Sequence, residues 1–207
     1  MKKKVQITWI HGETVHADFM HSVLGLVSAR NRPFELSLSN VRSGPLLGRA
    51  RNTVAEAFLE TKNDYLLMVD TDIVFTPEDA VQLFKASKPI VGGFYLGVNL
   101  ADNGTFPVAL RQGEDGAYWT ISKEDVPEKG CIEVDAVGMG FTLVRREVFE
   151  VLKPDHQMLF PFAETVVNGR GVGEDIAFCL RAKQEGFQTW LCGDARVGHA
   201  KSLVIGS

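Results

Sequence analysis

Nowhere in the 207 residues does an apolar run approach the roughly 18 that a membrane-crossing helix needs. The basic start, Lys2, Lys3 and Lys4, leads into a strand-like stretch rather than the apolar centre and cleavage site of a signal peptide. A soluble, cytoplasmic protein is therefore expected. Positive charge is also in short supply: 22 basic residues against 26 acidic ones give a formal net charge of −4, with no basic block beyond the opening lysines. That balance excludes a general nucleic-acid binder and leaves nucleic acid only as a candidate acceptor substrate. The three cysteines, Cys131, Cys179 and Cys192, are odd in number, widely spaced and contain no Cys-x-x-Cys. This argues against a disulfide framework and a structural zinc site, and the thiols are expected to be reduced packing residues. His11, His16 and His21 recur every five residues, a spacing that does not stack on one helix face, and there is no His-Glu-x-x-His, so a zinc-protease reading is rejected. Internal repeats and low-complexity segments are missing too.

What is present is apolar residue in quantity, 45% against 23% charged, enough for one substantial core. Residues 5–10 form a short β-branched run ending at His11-Gly12, and Phe19, Val23, Leu26 and Val27 follow at helical spacing. Arg32-Pro33 is expected to end that helix, because the residue before a proline is pushed out of the helical region. Residues 35–40 alternate like a strand, 41–47 read as a turn, and Ala50, Val54, Ala57 and Phe58 repeat as a helix. Residues 65–69 lack alternation and read as a strand buried on both faces. Thr76 is a candidate N-cap before Pro77, Glu78 and Asp79, opening a helix to about Ala86, and a strand is expected over 90–95. Beyond Gly97 the spacing predicts a turn-rich loop over 98–107. Short strands follow over 108–111, 118–121 and 132–137, a strand over 141–144, helices over 146–152 and 174–185, and a last strand over 189–192. Alternating strands and helices of this length imply an α/β protein whose Rossmann-like, mostly parallel central sheet is flanked by helices.

Asp70-Thr71-Asp72 follows the most buried-looking strand, where open α/β sheets place their ligands. Two carboxylates one residue apart offer hard oxygens to Mg²⁺ or Mn²⁺ that also binds a substrate diphosphate. Alone, the pattern equally describes a polar turn ahead of the Thr76 cap. Glu174 and Asp175 open a helix, where the helix dipole favours acidic side chains in any case. Gly138, Met139 and Gly140 approach a dinucleotide fingerprint but lack its third glycine and lie in the wrong half of the chain, which makes a Rossmann dehydrogenase a poor reading. An ordinary tight turn is the plain alternative there.

The segment from Gly48 through Ala50, Arg51 and Asn52 to Asp70 and Asp72 resembles the GT-A glycosyltransferases, in which a glycine, an Ala-Arg-Asn and a helix precede a strand ending in Asp-x-Asp. Residues 134–150 resemble the family's strand, Gly-x-Gly turn and following helix, residues 168–191 its Glu-Asp helix, and Val197-Gly198-His199 its C-terminal histidine. The likeness spans about residues 5–201. It departs at the start, where the family's Pro-x-x-Asn-like loop is His11-Gly12-Glu13-Thr14.

The resemblance implies a GT-A domain over 1–207, with a nucleotide-binding half at 1–97 and an acceptor-side half at 98–207 that carries a smaller β subregion. It implies a metal-dependent transfer of sugar from a nucleoside-diphosphate-sugar, UDP-sugar by default, to a hydroxyl acceptor. Asp70, Asp72 and His199 are the implied metal ligands, and Mn²⁺ suits an imidazole beside carboxylates better than Mg²⁺. His11, Gly12 and Glu13 stand where the family contacts the base. Arg51 is expected on a phosphate, Asn52 on base or ribose, and Asp70 or Thr71 beside the ribose. Lys201 is expected near the leaving diphosphate, and Gly138, Met139 and Gly140 where backbone approaches the sugar. Asp175 is the implied general base, with Glu174 as support or substitute. The glycine-rich 168–173 and the loop 98–107 are candidate segments that order over bound donor. Two rivals remain: a sugar-phosphate nucleotidyltransferase, for which 11–14 offers no Gly- and Arg/Lys-rich triphosphate loop, and a non-catalytic nucleotide-sugar or glycan-binding module. The oligomeric state is left open.

Overall fold

The computed structural model describes residues 2–44, 46–99 and 104–201. In chain order these form β1 (Lys4–His11), α1 (Ala17–Ser28), β2 (Glu35–Arg42), α2 (Leu47–Glu60), β3 (Tyr65–Asp70), β4 (Ile73–Val74), α3 (Pro77–Ala86), β5 (Ile90–Phe94) and β6 (Leu96–Val98). The second half continues with β7 (Thr105–Pro107), β8 (Ala109–Gln112), β9 (Tyr118–Thr120), β10 (Cys131–Val134), β11 (Ala136–Val137), β12 (Phe141–Arg145) and α4 (Arg146–Leu152). It closes with β13 (Thr165–Val167), β14 (Arg170–Val172), α5 (Glu174–Gln184), β15 (Thr189–Arg196) and β16 (Gly198–His199).

A seven-stranded sheet in the order β10-β15-β5-β12-β3-β1-β2 organises the molecule. β1 pairs in parallel with β2 and β3, β15 pairs in parallel with β5, and β12 runs antiparallel to both β3 and β5. With β10 antiparallel to β15, five of the seven strands share one direction, as the alternating pattern predicts. Side chains of β3 alternate between the two cores: Leu66 and Met68 join the one beneath α2, α4 and α5, Leu67 and Val69 the one beneath α1 and α3. Phe162 stacks on Phe178 at 4.5 Å in the first core, and burying each such ring contributes about 1.5–3 kcal/mol. Because β2 and β3 flank β1 on opposite sides, right-handed crossovers put α1 and α2 on opposite faces. That reversal of direction opens a crevice at the carboxyl ends of β1 and β3.

The structure refines the sequence reading in four places. α1 ends at Ser28, short of Pro33, because the Arg32 guanidinium folds back onto the carbonyls of Leu26, Val27 and Ala29. The strand expected over 132–137 breaks at Asp135: β10 belongs to the central sheet, whereas β11 pairs with β8 in a three-stranded sheet with β9. This is the smaller β subregion of the second half. Residues 168–173, expected as a glycine-rich mobile segment, supply the turn and second strand of the β13–β14 hairpin, with Asn168 and Gly169 both at positive φ in the turn. Residues 98–107 carry the ends of a β6–β7 hairpin, and 100–103 lie outside the described residues, as does Pro45 of the 41–47 turn. Cys131, Cys179 and Cys192 are free. Among the described residues no helix is long and apolar enough to cross a membrane.

Candidate functional site

The two carboxylates of Asp70-Thr71-Asp72 part company. Asp70 ends β3, and strand alternation turns it to the face shared with Leu66 and Met68, where α2 and α5 lie. There its Oδ1 is 3.5 Å from Nη2 of Arg51, whose Nη1 donates to Oε1 of Glu174 at 2.5 Å. Gly48 permits this approach, since a Cβ there would fall 2.3 Å from the carbonyl oxygen of Phe162 and 3.6 Å from Cβ of Glu174. Burial works against the charge on Arg51, yet Asp70, Glu174 and Asp175 outweigh it and hold the guanidinium pKa above its ordinary value. Arg51 is 3% exposed. It ties the end of β3 to the start of α5.

Asn52 follows Arg51 on α2. Fully buried, it donates to the Gly48 carbonyl at 2.8 Å and accepts from the Phe162 N–H at 3.2 Å, so its amide clamps the 162 loop onto α2.

Asp72 takes the other direction. The chain turns at Thr71, whose carbonyl accepts from the His16 N–H and so anchors the start of α1, and β4 then pairs with β16. Ile73 lies opposite His199, and Nε2 of His199 comes to 3.1 Å from Oδ2 of Asp72. Nζ of Lys201 reaches the same oxygen at 2.7 Å. Burial would raise the Asp72 pKa, but the hydrogen bond from Lys201 and the charges of His199 and Lys201 outweigh it and hold the carboxyl below its ordinary value.

The other ring nitrogen decides what this corner can hold. Nδ1 of His199 lies 2.9 Å from the Leu96 carbonyl, which only accepts, so Nδ1 carries a proton and Nε2 is the nitrogen turned to the carboxylate. A proton or a cation between Nε2 and Oδ2 completes that contact. An imidazole fixed through its far nitrogen by a backbone carbonyl, beside a carboxylate, is a donor set that accepts Mn²⁺ or Mg²⁺. Asp70, expected as a third ligand, is turned to Arg51, and among the described residues no three His, Cys, Asp or Glu side chains gather as a metal-holding group.

Asp175 stands partly buried at the first turn of α5 and accepts from the Ile176 N–H at 2.8 Å. Burial, reinforced by Glu174 and opposed by Arg51, pushes its pKa above the usual carboxylate value. Glu174, the expected substitute base, is engaged by Arg51. Gly138 and Gly140 make room for neighbouring side chains. A Cβ on either would fall within 2.7 Å of the Tyr95 hydroxyl, and on Gly138 within 2.4 Å of Val108 Cγ1. Met139 is buried between them.

Tyr95, which sequence reasoning missed, accepts from the Gly140 N–H at 3.2 Å and packs edge-on against the His199 ring at 5.5 Å. Its burial, with Asp70 nearby, drives the phenol pKa well up and keeps it neutral. The two glycines were its only trace in the sequence. At the mouth of β1, His11 spans the Gly12 carbonyl and the Asn40 side chain, and exposed Glu13 pairs with Arg42 at 3.3 Å. Beside them a cleft of about 510 Å³ between β2 and α2 is lined by Val41, Arg42, Leu46 and Arg49.

No protein-family model matches the chain, and no curated protein matches it in sequence. Its structure is similar to that of A197 from STIV, with a TM-score of 0.60 and 18% identity over 99% of this chain and 97% of that one. It is similar also to GalNAc-T7 crystallised with UDP, GalNAc and Mn²⁺, with a TM-score of 0.65 and 12% identity over 97% of this chain. That second match covers 43% of GalNAc-T7, so the chain spans less than half of its length. The fold is thus a GT-A-like, glycosyltransferase-type α/β fold.

Proposed function

We propose that this chain is a metal-dependent glycosyltransferase, one domain over 1–207, that moves a sugar from a nucleoside-diphosphate-sugar, UDP-sugar by default, to a hydroxyl acceptor. The observation that carries the reading is the pairing of Nε2 of His199 with Oδ2 of Asp72 at 3.1 Å while Nδ1 is bound to a carbonyl. Asp72 and His199 would hold the cation, Mn²⁺ or Mg²⁺. When bound, it supplies a Lewis acid for the charge that appears on the leaving diphosphate. The likeness in fold to GalNAc-T7, whose crystal holds UDP and Mn²⁺, supports the same ligand class.

The chain's own groups then have separate tasks. Lys201 brings a cation to the Asp72 corner and shifts to the leaving diphosphate as negative charge grows there. His11, Gly12 and Glu13 border the base, which enters beside the cleft lined by Arg42, Leu46 and Arg49. Asp175 takes the proton of the acceptor hydroxyl, and its raised pKa gives it more affinity for that proton than an exposed aspartate has. Arg51 acts at a distance, fixing Glu174 and with it the first turn of α5. The reaction is placed in the cytoplasm, where disulfides are transient.

Donor turnover measured with UDP-, GDP- and dTDP-sugars, with Mn²⁺ and with chelator, tests the reading. Metal-dependent turnover of at least one donor, lost in His199→Ala, is expected. Turnover indifferent to chelator, or pyrophosphorolysis with sugar 1-phosphate and nucleoside triphosphate in its place, would overturn it. Asp175→Asn with intact Mn²⁺ binding and undiminished transfer would remove the base assignment alone.

A further inference from the structure

Sequence spacing keeps the cysteines apart, but the edge of the central sheet sets two of them side by side. Cys131 on β10 lies directly opposite Cys192 on β15. In the adjoining pair the Gly193 N–H donates to the Gly130 carbonyl at 2.9 Å. Bonded and non-bonded pairs alternate along an antiparallel ladder, so Cys131 and Cys192 occupy a non-hydrogen-bonded position. Such positions bring Cα atoms to about 4.5 Å with both side chains on one face. Disulfides span Cα separations of roughly 4.4–6.8 Å. The two thiols influence each other's protonation. Cys192 is 1% exposed, whereas Cys131 is partly open to solvent. Cys179 is fully buried, with its sulfur 3.8 Å from the Val137 carbonyl, and takes no part.

We infer that Cys131 and Cys192 form a modification site at which a small peroxide oxidant makes a reversible cross-strand disulfide. The surroundings favour the thiolate that this chemistry needs. A hydrogen bond from Cys131 outweighs the effect of burial on Cys192, and the N–H groups of Asp194 and Ala195, where β15 bulges, add to it and bring that thiol down to about 7. Lys88 and Asp194 are the charged groups facing the pair, Lys88 favouring the thiolate and Asp194 opposing it.

The pair therefore holds one proton between two sulfurs. The proton rests on Cys131, which its interaction with Cys192 and burial hold in the thiol form; when it passes to Cys192, the Cys131 thiolate attacks hydrogen peroxide at the open side. An S–O bond forms, the O–O bond breaks and hydroxide leaves. The Cys192 sulfur then attacks the sulfenic sulfur of Cys131, and the departing hydroxyl takes the Cys192 proton as water. Thiol, thiolate and peroxide end as disulfide, water and hydroxide, the sulfurs oxidised and the peroxide reduced.

The test is to treat the folded chain with a modest excess of hydrogen peroxide, then denature it, alkylate it and measure intact mass and non-reduced peptides. One alkylated thiol in place of three, with a peptide joining Cys131 to Cys192 that thiol reductant separates, is the expected result. The rate should rise as pH climbs through about 7. Cys179→Ser should leave the crosslink intact, and Cys131→Ser and Cys192→Ser should abolish it. Phenylarsine oxide, which needs two adjacent thiols, gives a readout on the wild-type chain alone: one equivalent bound and released by a dithiol is expected. Three alkylated thiols after peroxide, a crosslink between two chains, or no arsenical bound would each overturn the site.

Discussion

The charged groups at the end of β3 fall into two regions built on opposite principles. On the side of α2 and α5, Arg51 sits buried between Asp70 and Glu174, each carboxylate answered by a guanidinium nitrogen. On the other side Asp72, His199 and Lys201 meet at a corner where Asp72 is 35% and Lys201 49% exposed at the side chain, and where Nε2 of His199 faces Oδ2 of Asp72. A closed set of charges holds elements together. An open set that brings an imidazole nitrogen to a carboxylate oxygen is suited to take up a cation. A two-residue step along the chain separates these tasks, because Asp70 keeps the strand's alternation and Asp72 lies beyond the turn.

The largest expected effect breaks the closed side. Arg51→Met keeps the length of the side chain but leaves Asp70 and Glu174 without their partner, and should lower unfolding free energy by about 3–5 kcal/mol in denaturant titration. A loss under 1 kcal/mol would mean that this cluster does not hold α5 to β3. The open side should behave the other way round. Asp72→Ala removes an exposed ion pair worth about 1 kcal/mol or less, yet transfer should fall by about two to three orders of magnitude and Mn²⁺ titration should show no saturable site. Equal damage to stability and activity in that variant would erase the distinction. Next in size is Asn52→Ala, which strips the buried Phe162 N–H of its acceptor. It should cost about 1–3 kcal/mol while leaving the donor KM unchanged, because the amide serves the fold and not the nucleotide.

The strands that carry the main sheet were legible because each announces itself locally: an unbroken apolar run at 65–69, a proline and capping box at the head of α3. The two-residue strands β4 and β16 carry no such signal. Their pairing exists because the whole sheet delivers their ends to one place, and that pairing joins Asp72 to His199. Residue type put Asp72, His199 and Lys201 among the candidates, and the fold brings them to one corner. It gave no sign of the protein partners of Arg51, Asn52, Gly138 and Gly140, since a donor, an amide or a missing Cβ looks the same in sequence whether its partner is ligand or protein. Alternation along β3 held a clue: Asp70 shares the parity of Leu66 and Met68 and must face α2, the helix that carries Arg51.

The smallest effect is also the one that separates the two regions by sign. Asp72 has a folded pKa below its ordinary 3.8, so it adds stability above that pH and loses it as acid protonates the folded state. Asp175, above 3.8 when folded, is penalised for ionising, and its charge subtracts from stability once the pH exceeds its unfolded value. Replacement by asparagine should therefore move Tm in opposite directions at neutral pH, down for Asp72→Asn and up for Asp175→Asn. The Asp175 difference should shrink toward zero as the pH falls below 3.8, and the Asp72 difference only at lower pH still, once the folded carboxyl is protonated as well. Thermal melts of the two variants across an acid-to-neutral series read this directly. A downward shift for both would mean that Asp175 is stabilised as a carboxylate, which would leave it too weak a base to draw a proton from a hydroxyl acceptor.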